Sequence, residues 1–206
     1  MTVIGITGPT GAGKTTALQA LVELDAHIID ADAVYHALLE SSATLRAELT
    51  ARFGPSILDG EGRVNRKDGQ GAIDRKKLGA LVFGDPAKLE RLNAIAQRAT
   101  VQRTRQMVKE NRSRGIGLTA IDAFALLESG LADLCTTTVA VLAPAEARVA
   151  RIMAREGISE DYAWARVRAQ RPDQFFAEGC AHILYNDCGT AEEFSRKAEE
   201  FLKEIV

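Results

Sequence analysis

The chain opens with a glycine-rich loop between a short apolar strand and a helix. The run Val3–Thr7 is rich in β-branched residues and stops at Gly8, which is typical of a buried parallel strand. From Lys14 onward, apolar residues recur at helical spacing: Ala17, Leu18, Leu21 and Val22. A strand, a glycine loop and a helix in this order are the structural context that a phosphate-binding loop requires.

The loop sequence GPTGAGKT satisfies the pattern G-x-x-x-x-G-K-[ST] of nucleotide-binding loops. Glycines let a polyphosphate approach the backbone closely, and we expect the N–H groups of residues 11–16 to point at it. Lys14 supplies a mobile charge for the outer phosphates, and Thr15 supplies an oxygen for Mg²⁺. The residues expected to hold the nucleotide are Gly8, Gly11, Ala12, Gly13, Lys14, Thr15 and Thr16. The motif predicts a nucleoside triphosphate with Mg²⁺, but it does not indicate where the γ-phosphoryl group goes.

Four more apolar runs predict strands, and helical stretches lie between them. The runs are HIID, ending at Asp30; GLTAID, ending at Asp122; TTTVAVLA, closed by Pro144; and AHILYN, ending at Asn186. Alternation of strands and helices is the signature of an α/β fold, here with a parallel sheet of five strands.

The spacing between strands two and three predicts an insertion, because about eighty residues separate them. We assign 1–40 and 115–206 to the core and 41–114 to a mostly helical insertion. One of its helices begins at Pro86, with Asp85 as N-cap. The glycine-rich stretch DGEGRVNRKDGQG predicts an exposed loop. A pair of helices joined by Gly157, within about 145–172, has the form of a lid.

Composition limits the partners. The formal net charge of -2 gives no overall basic field, so we expect no nucleic-acid partner. No run approaches the ~20 apolar residues of a membrane helix. Three cysteines without metal-ligand spacing, Cys135, Cys180 and Cys188, predict free thiols in a cytoplasmic protein. The oligomeric state is not predicted.

Two aspartates follow the second strand at the sheet edge where α/β proteins bind ligands. If the strand stays extended, Asp30 and Asp32 point the same way, and one can orient or deprotonate an acceptor hydroxyl. One of them, Asp30 rather than Asp32, can instead cap the next helix. On the first helix of the lid, three arginines form a basic face that can close on phosphates: Arg148, Arg151 and Arg155. A small-molecule kinase fits these features best.

Two other classes stay open on the residues alone. In a GTPase switch, NRKD and DGQG would read guanine and γ-phosphate, but they overlap, stand in the wrong order and end no apolar strand. A motor or transport ATPase would use an acidic strand end such as Asp122, which can equally cap a turn. The chain has no room for the extra coupling domain of that class.

Taken together, five segments resemble bacterial dephospho-CoA kinase: GITGPTGAGKTT, AHIIDADAVYHALLE, GAIDRKKLGALVFGDPAKLERLNAIA, ALLESGL and RVARIMAREGISEDYAWARVRAQRP. The resemblance extends over nearly the whole chain. It implies an adenylate-kinase-like P-loop core, a helical acceptor domain and a lid. It also implies that ATP phosphorylates the ribose 3′-hydroxyl of dephospho-CoA. A kinase for another nucleoside or small alcohol is the nearest alternative, and a P-loop NTPase switch the more distant one.

The resemblance also implies roles for single residues. Asp32 matches the catalytic base, Lys14 stabilises the β- and γ-phosphates, and Arg151 is the lid arginine near the transferring phosphate. Arg155 and Asp187 are assigned to the nucleotide, and Asp32, Arg75 and Glu128 to the acceptor. The family pattern is broken at Gln97-Arg98, at Phe124-Ala125 and at Asn186-Asp187, and the segment 60–70 is extra.

Overall fold

The computed structural model describes residues 1–59 and 71–206. The predicted glycine-rich loop, with NRKD and most of DGQG, therefore lies outside the described residues. The described chain forms two compact units. One comprises Met1–Asp30 and Arg105–Val206, and the other comprises Ala31–Thr104.

The first unit is built on a parallel sheet of five strands in the order β2-β3-β1-β4-β5. The strands are β1 Thr2–Thr7, β2 His27–Asp30, β3 Leu118–Asp122, β4 Thr137–Leu142 and β5 His182–Tyr185. All five predicted strands are confirmed. Their apolar residues lie in the core because helices cover the sheet.

Nine α-helices are present in the described residues. They are α1 Lys14–Glu23, α2 Ala31–Ser41, α3 Ala43–Phe53, α4 Arg75–Val82, α5 Pro86–Ser113, α6 Ala145–Glu156, α7 Glu160–Arg168, α8 Asp173–Gly179 and α9 Ala191–Lys203. Short 3₁₀ helices cover Pro55–Ile57 and Leu131–Leu134. None of these helices combines the length and the apolar composition that a membrane crossing requires.

Helices α1 and α9 fix the position of the loop after β1, because both pack into the same apolar core as that strand. Ala17 and Leu21 of α1 and Phe194 and Leu202 of α9 are buried together with Ile4. A capping box formed by Thr190 and Glu193 starts α9. Helix α1 is therefore fixed by its packing against α9 as well as by its covalent connection to the loop.

The second unit is helical and has its own apolar core. It contains α2, α3, α4 and the first part of α5, and the buried residues are Leu39, Leu45, Leu49, Ile57, Ile73, Leu78, Val82 and Ile95. The predicted start of α5 is confirmed, because the N–H groups of Ala87 and Lys88 donate to Asp85 Oδ1 at 3.1 Å. The use of 41–114 for an acceptor stays a prediction.

Helix α2 begins directly after β2. The strand β2 ends at Asp30 and α2 starts at Ala31, so Asp32 lies in the first turn of a helix. The expectation of an extended chain that aligns Asp30 with Asp32 is therefore wrong. The reason is apolar spacing, since Ala31, Val34 and Leu39 bury one face of α2.

Candidate nucleotide-binding site

The loop between β1 and α1 needs its glycines for its backbone conformation, and the packing around the loop adds a second reason. Gly8, Gly11 and Gly13 all have positive φ, at 142°, 82° and 112°. A Cβ at these positions would lie 2.2 Å from Val141 O, 2.8 Å from Arg148 O and 2.6 Å from Asn186 Nδ2, respectively. Atoms of Val141, Arg148 and Asn186 thus occupy the space that a side chain at these positions would need.

The backbone amides of the loop do not all serve one purpose. Ala12 N–H donates to Pro9 O at 3.2 Å, and Thr16 N–H donates to Gly13 O at 3.0 Å. The expectation that every amide from residue 11 to residue 16 points at phosphates is therefore wrong for these two. Lys14 and Thr15 are the first residues of α1, where N–H groups have no acceptor inside the helix. They provide the positive end at which an anion binds.

Lys14 contacts an aspartate at the end of the neighbouring strand. Its Nζ lies 2.7 Å from Asp122 Oδ1, and the two side chains are 22% and 21% exposed. Asp122 closes β3, and the strand register pairs it with Ile6 of β1 and with Asp30 of β2. The structure therefore gives Asp122 a contact with the loop lysine, which neither a turn nor a helix cap would require.

The three arginines of α6 have different environments, although we expected one basic face. Arg148 is only 4% exposed, and its Nε donates to Thr10 O at 3.1 Å. Arg151 Nη1 donates to Gly11 O at 3.2 Å. Arg155 is exposed and pairs with Glu156 at 2.6 Å. Burial lowers the pKa of the Arg148 guanidinium from its ordinary value, and Asp173 partly opposes this effect.

The amide–acid pair after β5 contributes its amide to the loop. Asn186 is 3% exposed, its Nδ2 donates to Ala12 O at 2.9 Å, and its Oδ1 accepts from Arg151 Nη2 at 3.2 Å. Asp187, the residue assigned to the nucleotide, is exposed and pairs with Lys197 at 2.7 Å, which lowers its pKa. The sequence reasoning therefore assigned Asp187 and missed Asn186. An amide directly after a buried strand was the available signal.

Two further residues near the sheet also have identified partners. Glu128 is exposed and lies 3.4 Å from Arg171. The backbone carbonyl of Phe124 accepts from Thr7 Oγ1 at 3.1 Å, and the Phe124 side chain is 44% exposed. The assignment of Glu128 to the acceptor stays a prediction.

The second unit contains a groove of about 850 Å³ between α2, α4 and α5. Its lining is mostly apolar and includes Leu39, Phe83 and Leu92. Arg75 and His36 add polar groups, and Arg75 Nη2 lies 3.5 Å from His36 Nε2. Burial raises the pKa of Tyr35, which also lines the groove, while the charge of Arg75 lowers it.

The other residues predicted to bind the acceptor, Asp32 and Arg75, also lie in the second unit. Asp32 is exposed on α2, and Arg98, at one of the departures from the family pattern, pairs with Glu48. Arg75 is the first residue of α4, and Asp74 caps that helix. The role of Asp32 as the base stays a prediction.

The loop offers ligands of the kind that Mg²⁺ prefers. The Thr15 hydroxyl is exposed in the first turn of α1, and Asp122 supplies a carboxylate at the adjacent strand end. Over 1–59 and 71–206, no three His, Cys, Asp or Glu side chains are grouped for a metal. Mg²⁺ usually takes only one or two protein oxygens and completes its shell with water and phosphate, so these residues fit it.

The fold and the loop define the class of protein. A five-stranded parallel sheet with a phosphate-binding loop after β1 is the fold of the P-loop kinases. A shikimate kinase of Bacteroides thetaiotaomicron has this fold, with a TM-score of 0.51 at 15% identity, over 98% of each chain. A second solved structure, titled TT1252 from Thermus thermophilus, has a TM-score of 0.72 at 30% identity and covers 100% of this chain and 98% of its own.

Sequence comparison identifies the family. The family model described as dephospho-CoA kinase matches residues 2–192. A dephospho-CoA kinase of Dehalococcoides mccartyi is 35% identical over 188 residues, which cover 91% of this chain and 90% of that relative. The chain belongs to the dephospho-CoA kinase family. The resemblance and the fold class predicted from the sequence are thereby confirmed.

Proposed function

We propose that this protein transfers the γ-phosphoryl group of ATP to the ribose 3′-hydroxyl of dephospho-CoA, giving coenzyme A and ADP. The observation that carries the proposal is the family match across residues 2–192, because it spans both compact units. The loop supports the nucleotide half of the reaction. The groove in the second unit supports the acceptor half, because its lining combines apolar side chains with the basic residues Arg75 and Lys76, which suit a long flexible arm attached to a diphosphate.

In this mechanism, positioning and charge stabilisation do most of the work. The N–H groups of Gly11 and Gly13 and the first turn of α1 bind the β- and γ-phosphates, and Lys14 stabilises the charge that develops there. Thr15, with Asp122 nearby, would hold Mg²⁺, which neutralises phosphate charge when bound. Asp32 accepts the proton of the 3′-hydroxyl or aligns that oxygen for in-line attack.

Arg151 and Arg155 are the proposed arginines of the lid. Arg151 contacts loop carbonyls and Asn186, so its Nη groups must exchange these contacts if they are to reach the transferring phosphoryl group. Arg155 is exposed at the end of α6, and its side chain must give up its contact with Glu156 if it is to reach the nucleotide. Asp187 is also proposed to lie beside the nucleotide, because the preceding residue, Asn186, binds the loop at Ala12 O.

Acceptor dependence is the direct test of the proposal. ADP release from ATP and Mg²⁺ is measured with and without dephospho-CoA, and the product is identified as coenzyme A by mass spectrometry. We expect ADP only when the acceptor is present. ADP release that needs no acceptor, or hydrolysis of GTP to GDP that is faster than hydrolysis of ATP, would support an NTPase switch. Turnover with a different alcohol would support another kinase.

The role of Asp32 is tested by Asp32→Asn. This change removes the proton acceptor from an exposed position but leaves its size, so we expect ATP affinity to stay within about twofold and turnover to fall by about 10²–10⁴. The matched control is Asp133→Asn, an exposed aspartate in the first turn of the Leu131–Leu134 helix. Unchanged turnover in Asp32→Asn would remove this residue from the mechanism.

A further inference from the structure

Three successive carbonyl groups of the loop are bound by side chains on the side that faces α6. Thr10 O accepts from Arg148 Nε at 3.1 Å. Gly11 O and Ala12 O accept from Arg151 Nη1 at 3.2 and 3.4 Å. Ala12 O also accepts from Asn186 Nδ2 at 2.9 Å. The backbone of the loop is thus held by side-chain donors from two separate segments.

Peptide geometry turns these carbonyl contacts into a constraint on the amides. In a planar trans peptide the C=O of one residue and the N–H of the next point in opposite directions. Holding Thr10 O toward α6 therefore directs Gly11 N–H away from α6, and holding Ala12 O directs Gly13 N–H the same way. Ala12 N–H lies between them and is taken by Pro9 O.

Gln170 fixes the arginine that makes the first of these contacts. Its Oε1 accepts from Arg148 Nη2 at 2.9 Å and from Thr10 N–H at 2.9 Å. Arg148 is buried, and Asp173 lies 3.6 Å from its Nη1. Hydrogen bonds from a guanidinium are among the stronger kind, and burial leaves little water to replace them.

We propose that Arg148, Gln170 and Asn186 act as a carbonyl clamp, whose function is to aim the N–H groups of Gly11 and Gly13 at the phosphates of a nucleoside di- or triphosphate. These three are positioning residues, since Arg148 and Asn186 bind loop carbonyls and Gln170 binds Thr10 N–H and Arg148. The proposal rests on the proposed function only in that the protein binds ATP; it does not depend on the acceptor.

The first experiment uses two substitutions of Gln170 that differ in one property. Gln170→Glu keeps an oxygen that accepts from both Arg148 and Thr10, whereas Gln170→Met has similar length and no acceptor. We expect Gln170→Met to raise the Kd for ATP and Mg²⁺ by roughly tenfold, the value of one lost charge-assisted hydrogen bond. Gln170→Glu should stay within about threefold of wild type. Arg196→Met, on the exposed side of α9, is the control for general effects of substitution.

The second experiment measures the NMR signals of the backbone amides of Gly11 and Gly13. In protein labelled with ¹⁵N-glycine, ADP should shift the assigned amide signals of Gly11 and Gly13 in wild type and in Gln170→Glu. In Gln170→Met and Arg148→Met these shifts should be strongly reduced, while Arg148→Lys should restore part of them. A residue with only a structural role would change thermal stability without this selective loss.

The outcomes separate the clamp from the proposed function. Wild-type ATP affinity and wild-type glycine shifts in folded Gln170→Met would overturn the clamp, even if Arg148→Met fails to fold. If the protein makes no coenzyme A but these variants still lose ATP affinity, the clamp stands and the proposed function fails.

Discussion

At the scale of single residues, the contact between Lys14 and Asp122 links two parts of the sequence that stand 108 positions apart. Both side chains are about one-fifth exposed, so neither is fully solvated nor fully buried. A carboxylate at this position restrains the ammonium group beside the loop. It also presents a second oxygen at the carboxyl end of β3, which would accept a hydrogen bond from a water bound to Mg²⁺.

This contact predicts the behaviour of Asp122→Asn. The amide keeps the size of the side chain but loses its charge. The contact with Lys14 is therefore weaker, and the amide oxygen is a weaker hydrogen-bond acceptor for water bound to Mg²⁺ than the carboxylate oxygen is. We expect kcat to fall by roughly tenfold or more, and the Mg²⁺ concentration for half-maximal activity to rise, as befits the loss of one charge-assisted hydrogen bond. Initial rates over a Mg²⁺ titration measure both effects. An unchanged Mg²⁺ dependence would restrict Asp122 to orienting Lys14, and an unchanged kcat would exclude that role too.

The residues that sequence reasoning found at the loop are those whose chemistry is visible locally. The pattern from Gly8 to Thr15 could be read because the loop carries its function in adjacent positions. Gln170 could not be assigned in that way, and for Asn186 only its place directly after a strand was visible, because each binds a backbone group more than 150 residues distant. Such contacts depend on where β5 and α7 end in space, which spacing along the chain does not reveal.

At the scale of elements, the strands were predictable and the start of one helix was not. Buried parallel strands are continuous apolar runs, so β1 and β4 stand out against charged neighbours. The boundary between β2 and α2 depends on whether the chain stays extended or becomes helical after Asp30, and it becomes helical at Ala31. Helix α6 shows a further limit: its arginines were assigned to a lid from their charge, whereas Arg148 and Arg151 contact loop carbonyls.

The capping box of α9 makes a prediction about stability at this scale. Thr190 Oγ1 accepts from Glu193 N–H at 3.2 Å, and the Glu193 carboxylate accepts from Thr190 N–H. Thr190→Ala should lower the free energy of unfolding by about 1 kcal/mol, and Thr190→Ser should retain most of it. Urea denaturation monitored by circular dichroism measures the difference.

The same variants test how far α9 supports the loop. Phe194 and Leu202 of α9 pack into the core that holds α1, but the cap itself lies at an exposed end of the helix. We therefore expect kcat and the KM for ATP in folded Thr190→Ala to stay within about twofold of wild type. A large change in either constant, at temperatures well below unfolding, would show that α9 controls the loop directly.

At the scale of the whole molecule, the residues proposed for ATP and those proposed for the acceptor fall in different compact units, except Glu128, which lies in the same unit as the loop. The phosphate loop, Asp122 and the proposed clamp lie in the unit of Met1–Asp30 and Arg105–Val206. Asp32, Arg75 and the groove lie in Ala31–Thr104. The chain passes from one set to the other within two residues, since Asp30 ends β2 and Asp32 follows on α2. At ~3.8 Å per residue, the proposed base can stand no more than about 8 Å, Cα to Cα, from the carboxyl end of β2.

This division predicts which amides each substrate protects from hydrogen exchange. A non-hydrolysable ATP analogue with Mg²⁺ should slow exchange in the loop and the start of α1, because its phosphates bind there. Dephospho-CoA alone should slow exchange in α2 and α4, which line the groove. Arg75→Met should reduce the protection of α2 and α4 by dephospho-CoA and raise the KM for dephospho-CoA by roughly tenfold, because one charge contact is lost. The protection of the loop by the ATP analogue should not change. Arg91→Met, on an exposed part of α5, is the control. Protection by dephospho-CoA that is confined to the loop and the sheet would contradict the assignment of the acceptor to the groove, while the ATP-binding role of the loop would remain.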